Sequence, residues 1–129
     1  MSKQKPIIQI ESYGLYSKWN RNSKDLPAIK EFTVNIPAVE DNEFGYILHI
    51  KKGKGLKIHF SINHPNITDE KGQIMPPFTG EVFINSNDFR FYIGDCIWAP
   101  VENKTGNWEI VTLLNNSCIA SKTFNVYLP

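Results

Sequence analysis

The chain has 129 residues, a length that fits a single domain with a core of its own. Hydrophobic residues make up 41% and charged residues 21% of the composition, which excludes a wholly disordered chain. The formal net charge of +1 is too small to favour nucleic acid or a membrane surface without a local charged patch. We therefore expect one globular domain over residues 1–129.

The first third of the chain predicts two strands. Residues 1–6 are polar and expected to be frayed, and apolar residues alternate over Ile7–Tyr16, which predicts a strand. Residues 17–27 are typical of a loop. Alternating apolar residues predict a second strand over Ile29–Ile36, and the proline that follows ends it. Its inward residues, at a spacing of two, are Phe32, Val34 and Ile36.

The clearest alternation follows, over Phe44–Lys51 and Leu56–Asn63. The glycine-containing connector 52–55 favours a hairpin between them. Such a hairpin would pair two sets of residues across its strands, His49 with His59 and Lys51 with Lys57. The inward side of the second strand would carry Leu56, Ile58, Phe60 and Ile62.

The rest of the chain predicts a long loop and four more strands. Residues 64–80 contain three prolines and are expected to form a loop. A loop of this length is often functional. Short strands are predicted around Val82–Ile84 and Phe89–Ile93. Residues 106–128 predict a hairpin around a polar turn at 115–117.

A two-residue turn in this last hairpin would point the apolar residues of its two strands to opposite faces. We therefore expect a bulge near Ser121 that brings both sets into one core. No segment of the chain has a sustained helical period. The sequence thus predicts an all-β protein, an immunoglobulin-like antiparallel β-sandwich of seven to eight strands.

The cysteines and the start of the chain predict the compartment. No apolar signal segment follows Met1, and no run is long enough to span a bilayer. We expect a cytoplasmic protein without membrane association, in which Cys96 and Cys118 are reduced and buried. A disulfide between them stays open for a chain cut from a secreted precursor.

Scattered residues resemble a bacterial family, the domain of unknown function 3859 family. They are Tyr13-Gly14, Ser23–Pro27, Ile36-Pro37, Phe44-Gly45, His64-Pro65, Pro76-Pro77, Trp98 and Gly106-Asn107-Trp108. The similarity extends over residues 10–129. It implies a stand-alone immunoglobulin-like domain without an assigned activity, and it supplies no catalytic residues.

The chain contains few groups that could carry out chemistry. His49, His59 and His64 are its only histidines, and zinc would need three or four ligands in a tetrahedral array. We interpret the first two as an exposed cross-strand pair. No motif joins a nucleophile to a base and an orienting group. We predict no metal, no other cofactor and no enzymatic activity.

Two sets of residues are candidates for binding. A basic tip on the predicted hairpin would comprise His49, Lys51, Lys52, Lys54, Lys57 and His59. It could contact phosphates or an acidic protein, or it could only solubilise the hairpin, and the lack of interleaved aromatic residues argues against nucleic acid. The loop aromatics Trp19, Phe78 and Trp98 could line a groove for sugar or peptide, or plug the ends of the core.

Two functions follow from these features. The first is a non-catalytic protein-interaction module that binds another protein through the 64–80 loop or an open sheet edge. The same edge could pair two copies into a homodimer. The alternative is a module that binds glycan or nucleic acid through the basic tip or the loop tryptophans.

Overall fold

The computed structural model describes residues 5–20, 25–65 and 67–129. Most of residues 1–6, which were expected to be frayed, therefore lie outside the described residues. Part of the Ser23–Pro27 run lies outside them too. The described residues form nine strands: β1 (Ile7–Tyr16), β2 (Ile29–Glu31), β3 (Asn35–Pro37), β4 (Glu43–Lys51), β5 (Lys57–Asn63), β6 (Phe78–Phe83), β7 (Asp88–Cys96), β8 (Gly106–Leu114) and β9 (Ser117–Tyr127). A single 3₁₀ turn, Glu102–Lys104, precedes β8.

The strands form two sheets packed face to face. One has four strands in the order β2-β1-β4-β7, and the other has five in the order β3-β9-β8-β5-β6. All pairs are antiparallel except β3 with β9, which is parallel. The all-β sandwich is confirmed, with nine strands where seven to eight were expected.

The core lies between the sheets and is built around three aromatic rings. Phe44 of β4 packs edge-to-face on Trp108 of β8 and on Phe124 of β9, with centroid separations of 5.2 and 5.6 Å. All three side chains are fully buried. These contacts join the two sheets, and each ring supplies a large apolar surface to the core.

The predicted hairpin of Phe44–Lys51 with Leu56–Asn63 is wrong. β4 and β5 lie in different sheets, so the chain crosses from one layer to the other at the connector. Lys52 (φ 63°) and Gly55 (φ 93°) turn this corner, and Gly53 is buried in it. The apolar faces of β4 and β5 meet across the sandwich. Their alternate apolar residues are therefore buried as well as they would be in a hairpin.

The histidine pair predicted from that hairpin is wrong for the same reason. His49 lies opposite Gln9 and Arg90, whereas His59 lies opposite Glu81 and Leu113. The predicted pairing of two lysines fails likewise, since Lys51 and Lys57 belong to different sheets.

The predicted strand Ile29–Ile36 is divided between the sheets. Its first three residues form β2 beside β1, and its last residues form β3 beside β9. Of its three predicted core residues only Ile36 is buried, while Phe32 is 60% and Val34 is 37% exposed. A strand that changes sheets cannot keep all its alternate residues on one core face, which explains the error.

The carboxy-terminal hairpin and its bulge are confirmed. Asn115 and Asn116 both have positive φ, as a tight two-residue hairpin turn requires. The register between β8 and β9 shifts where Thr112 faces Ala120, leaving Ile119 as the extra residue, two positions from the predicted Ser121. Residues from both strands enter one core: Trp108, Ile110, Phe124 and Val126.

Neither cysteine is in a disulfide bond, but the prediction that both are buried is wrong. Cys96 is partly exposed at the end of β7, and Cys118 is exposed next to the hairpin turn. Cys96 lies opposite Glu43 and Cys118 opposite Leu113, and neither of these partners belongs to the core between the sheets.

Candidate binding edge

Strand β6 forms one edge of the five-stranded sheet. It pairs with β5 from Lys57 opposite Phe83 to Ile62 opposite Phe78, and the register has no shift. Within the described ranges no strand pairs with its other side. Such an edge presents backbone groups that a further strand can bind.

The residue that follows β6 shows which backbone groups face this open side. The Ile84 N–H donates to the Leu56 carbonyl oxygen at 2.8 Å, and the Ile84 carbonyl accepts an N–H of the same connector at 2.8 Å. Both backbone groups of Ile84 therefore face β5. Because this direction alternates along an extended strand, the N–H and C=O groups of Thr79, Glu81 and Phe83 point away from β5.

The two faces of β6 carry different side chains. On the outer face Thr79, Glu81 and Phe83 are exposed, and Phe83 is 59% exposed. On the inner face Phe78 and Val82 are half-buried and pack at the margin of the core. This edge therefore combines open backbone groups with an accessible apolar rim.

Gly80 shapes the middle of the edge. A Cβ at this position would lie 2.5 Å from the Phe60 ring, so the ring occupies the space that any side chain there would need. Phe60 is half-buried, whereas its neighbours Ile58 and Ile62 on the same face of β5 are buried. The Phe60 ring thus extends the apolar rim to the open side of the sheet.

Glu81 is paired with two basic residues of β5. The Lys57 Nζ lies 3.3 Å from one carboxylate oxygen, and the His59 Nδ1 lies 3.5 Å from the other. These side chains are about half exposed, so the pairs are screened and weak. The carboxylate nevertheless offsets the charge of Lys57.

The basic residues predicted at one tip are divided among three places. Lys51, Lys52 and Lys54 stay exposed at the corner between β4 and β5. His49 lies on the outer face of the four-stranded sheet, where its Nε2 is 2.5 Å from the Asp88 Oδ1. The remaining two, Lys57 and His59, lie on the outer face of the other sheet.

His49 belongs to a row of alternating charges across three strands. Asp88 also lies 3.8 Å from the Arg90 guanidinium, and the Arg90 Nε donates to the Glu11 carboxylate at 2.8 Å. The hydrogen bond from His49 holds the pKa of Asp88 below its usual value, and the positive charges nearby act in the same direction.

The three loop aromatics do not meet in one groove. Phe78 and Trp98 lie together at one end of the sandwich, with ring centroids 6.4 Å apart. Trp98 also packs at 6.4 Å on the buried Trp108. Trp19 lies elsewhere, 5.0 Å from Tyr92 on the outer face of the four-stranded sheet.

A buried lysine closes the same end of the core. Lys104 is 1% exposed, and its Nζ donates to the Pro100 carbonyl at 2.9 Å and to the Asn103 Oδ1 at 2.5 Å. The ammonium lies 4.3 Å from the centre of the Trp98 ring. Burial lowers the pKa of Lys104. Nothing in the sequence pattern indicated this residue, because lysine normally marks an exposed position.

The sequence does not predict the start of β6. Residues 78–80 begin this strand, whereas the sequence predicts that they belong to the loop 64–80. The alternation of Phe78, Gly80 and Val82 was the available signal, since an isolated glycine in a strand marks a close approach of another group.

Among the described residues, no group of three or more His, Cys, Asp or Glu side chains is placed to hold a metal ion. No helix in that part of the chain has the length and apolar character needed to cross a membrane.

The two packed sheets define the class of the protein, an immunoglobulin-like β-sandwich. An immunoglobulin-like protein from Pseudomonas aeruginosa, known from a crystal structure at 1.50 Å resolution, has the same fold, with a TM-score of 0.74. The two proteins are 17% identical, and the match covers 98% of this chain and 100% of the other. The chain belongs to the family described as Domain of unknown function (DUF3859), which matches residues 4–126. No curated protein is similar enough to count as a relative.

Proposed function

We propose that this domain is a non-catalytic protein-interaction module, in which β6 pairs with an extended segment of another protein. The segment would become the sixth strand of the five-stranded sheet. The observation that carries the proposal is the open side of β6, with the backbone groups of Thr79, Glu81 and Phe83 pointing outward. Main-chain hydrogen bonds supply the affinity in this mode of recognition.

The side chains beside β6 specify the chemistry of the partner. An added strand would place alternate side chains on the inner and outer faces of the sheet. The inner ones would lie next to Phe78, Val82 and the Phe60 ring, so apolar residues would cover the accessible rim. The outer ones would lie beside Thr79 and Glu81, where polar residues fit, except next to the exposed Phe83, where an apolar residue fits. The partner segment should therefore alternate apolar and polar residues.

The proposal places the module in the bacterial cytosol. The two free thiols support a reducing compartment. A second copy of the chain is the other occupant that the same edge could take, since two β6 strands can pair about a two-fold axis. Glycan or nucleic acid binding is less well supported, because Trp19 lies apart from Phe78 and Trp98, and acidic residues lie beside four of the six basic ones.

Replacing Thr79 by proline tests the proposal. Proline removes the outward N–H at an edge position and leaves the hydrogen bonds to β5 in place. Thr79→Ala is the matched control, because it shortens the side chain and keeps the N–H. Wild type, Thr79→Pro and Thr79→Ala, each immobilised, would be compared for proteins retained from a native extract after thermal melts confirm folding.

We expect wild type and Thr79→Ala to retain the same protein, and Thr79→Pro to lose it. Retention by all three variants would contradict binding along β6, and so would the absence of any retained protein. Sedimentation of the purified chain tests for a second copy as the occupant. A dimer that Thr79→Pro dissociates would assign the edge to self-association.

A further inference from the structure

Residues 67–76, here called the finger, fold back on themselves between β5 and β6. A β-bridge joins Thr68 and Ile74. The Met75 N–H donates to the Ile67 carbonyl at 2.9 Å. At the tip, the Asp69 carboxylate accepts two backbone N–H groups, at 2.9 and 3.0 Å. The predicted loop 64–80 therefore contains the finger and the first residues of β6.

The ring of His64 bridges the two ends of this segment. Its Nδ1 lies 2.8 Å from the Pro65 carbonyl oxygen, and its Nε2 lies 2.9 Å from the Pro76 carbonyl oxygen. Both partners accept hydrogen bonds and cannot donate them. A neutral imidazole has one N–H and could bond only one carbonyl, whereas an imidazolium has two and bonds both.

The rings around His64 also suit a cation. The His64 ring lies 4.6 Å from the Phe78 ring at an interplanar angle of 38°, and 6.1 Å from the Trp108 ring. Aromatic faces attract positive charge at such separations. The positive form of His64 is therefore compatible with its packing as well as with its two acceptors.

In the described part of the chain, the charged groups on the elements packed around His64 have other partners or form no ion pair with its ring. Lys57 and His59 on β5 pair with Glu81 on β6. On β8, Glu109 accepts a hydrogen bond from Asn63 at 3.3 Å, and the Lys104 ammonium ahead of it lies against Trp98. The finger itself carries three charged residues at its tip, Asp69, Glu70 and Lys71. Within the described ranges none of these groups forms an ion pair with His64.

We propose that His64 is a proton-operated clamp on the finger. Protonated, it donates to the carbonyls of Pro65 and Pro76 and holds the base of the finger closed. After it releases one proton to solvent, it can hold only one of the two carbonyls, and the finger opens more readily. This inference does not depend on β6 binding a partner.

Nuclear magnetic resonance of the full chain tests the clamp through two readouts. The ¹⁵N shifts of the His64 ring report whether one or both nitrogens carry hydrogen. Hydrogen exchange of the Met75 and Asp69 amides, corrected for intrinsic rates, reports opening of the finger. Both would be followed from about pH 5 to about pH 8, the range over which histidine changes charge.

We expect finger protection to fall about fivefold as the His64 ring loses its second hydrogen, the effect of one hydrogen bond. The two changes should share one midpoint. His64→Asn should abolish the pH dependence, and His59→Gln, which alters an exposed histidine, should preserve it. A neutral His64 ring in a fully protected finger would overturn the proposal. Finger protection that does not change with pH would overturn it too. Both of these outcomes are measured on wild type, so the test stands even if His64→Asn is unstable.

Discussion

The hydroxyl groups of Tyr46 and Thr112 lie 2.5 Å apart inside the core and join the two sheets. Tyr46 belongs to β4 and Thr112 to β8, and both are fully buried. Burial raises the pKa of Tyr46, so the phenol stays neutral and able to donate. The Tyr46 hydroxyl also lies 3.5 Å from the Ala120 carbonyl oxygen of β9, so both of these contacts tie β4 to the opposite sheet.

Tyr46→Phe should lower the free energy of unfolding by about 1–2 kcal/mol, because it leaves the Thr112 hydroxyl without this partner. Thr112→Val and the double variant complete a cycle, in which we expect a coupling energy of about 1 kcal/mol. Chemical denaturation measures all four proteins. Tyr127→Phe, at an exposed tyrosine, should change stability by less than about 0.5 kcal/mol. A Tyr46→Phe variant as stable as wild type would contradict the role of the pair.

Phe32→Ala and Ile36→Ala together test the division of the predicted second strand. Phe32 is 60% exposed and contacts Tyr13 edge-to-face at 5.7 Å, so its truncation should cost less than about 1 kcal/mol. Ile36 is fully buried, and its truncation should cost about 2–5 kcal/mol. Equal losses in urea denaturation would instead favour one continuous strand facing the core.

Gly94→Ala should destabilise the fold by about 3 kcal/mol or more, because the new Cβ would lie 2.1 Å from the Phe44 carbonyl oxygen. Backbone cannot move aside as a flexible side chain can. Gly72→Ala is the comparison, since Gly72 has open space around it and a φ of +79°. It should cost only about 1–2 kcal/mol of backbone strain. Similar melting temperatures for the two variants would refute the steric argument.

Asp88→Asn should reduce the loss of stability in acid. The pKa of Asp88 is lowered in the folded protein, chiefly by the hydrogen bond from His49. The ionised Asp88 therefore contributes its full stabilisation above about pH 4, near the pKa of the unfolded chain. This stabilisation is lost as pH falls through the lower pKa of the folded protein. Urea unfolding at several acidic pH values should show wild type and variant converging as pH decreases. Glu70→Gln, at an exposed carboxylate on the finger, is the control and should leave the wild-type profile unchanged.

The candidate site was only partly within reach of the sequence. Lys57 and His59 were among the predicted binding residues, and they do lie beside β6, but as partners of Glu81. The edge itself could not be predicted, because whether a strand is central or peripheral depends on pairing with residues far along the chain. For His64 the sequence offers a place in the family resemblance and a weak metal-ligand candidate, but no clamp, since neither of its carbonyl partners is visible in a pattern of side chains.

The sequence by itself determined the all-β class, the last hairpin and its bulge, because these depend on local alternation, turn residues and parity between adjacent strands. Tertiary structure alone decided which strands share a sheet. Alternation tells which face of Phe44–Lys51 and of Leu56–Asn63 is apolar, but an apolar face is buried equally well by a neighbour in the same sheet or by the opposite layer. Packing of the two layers settled that choice, and with it the place of β6 at the edge.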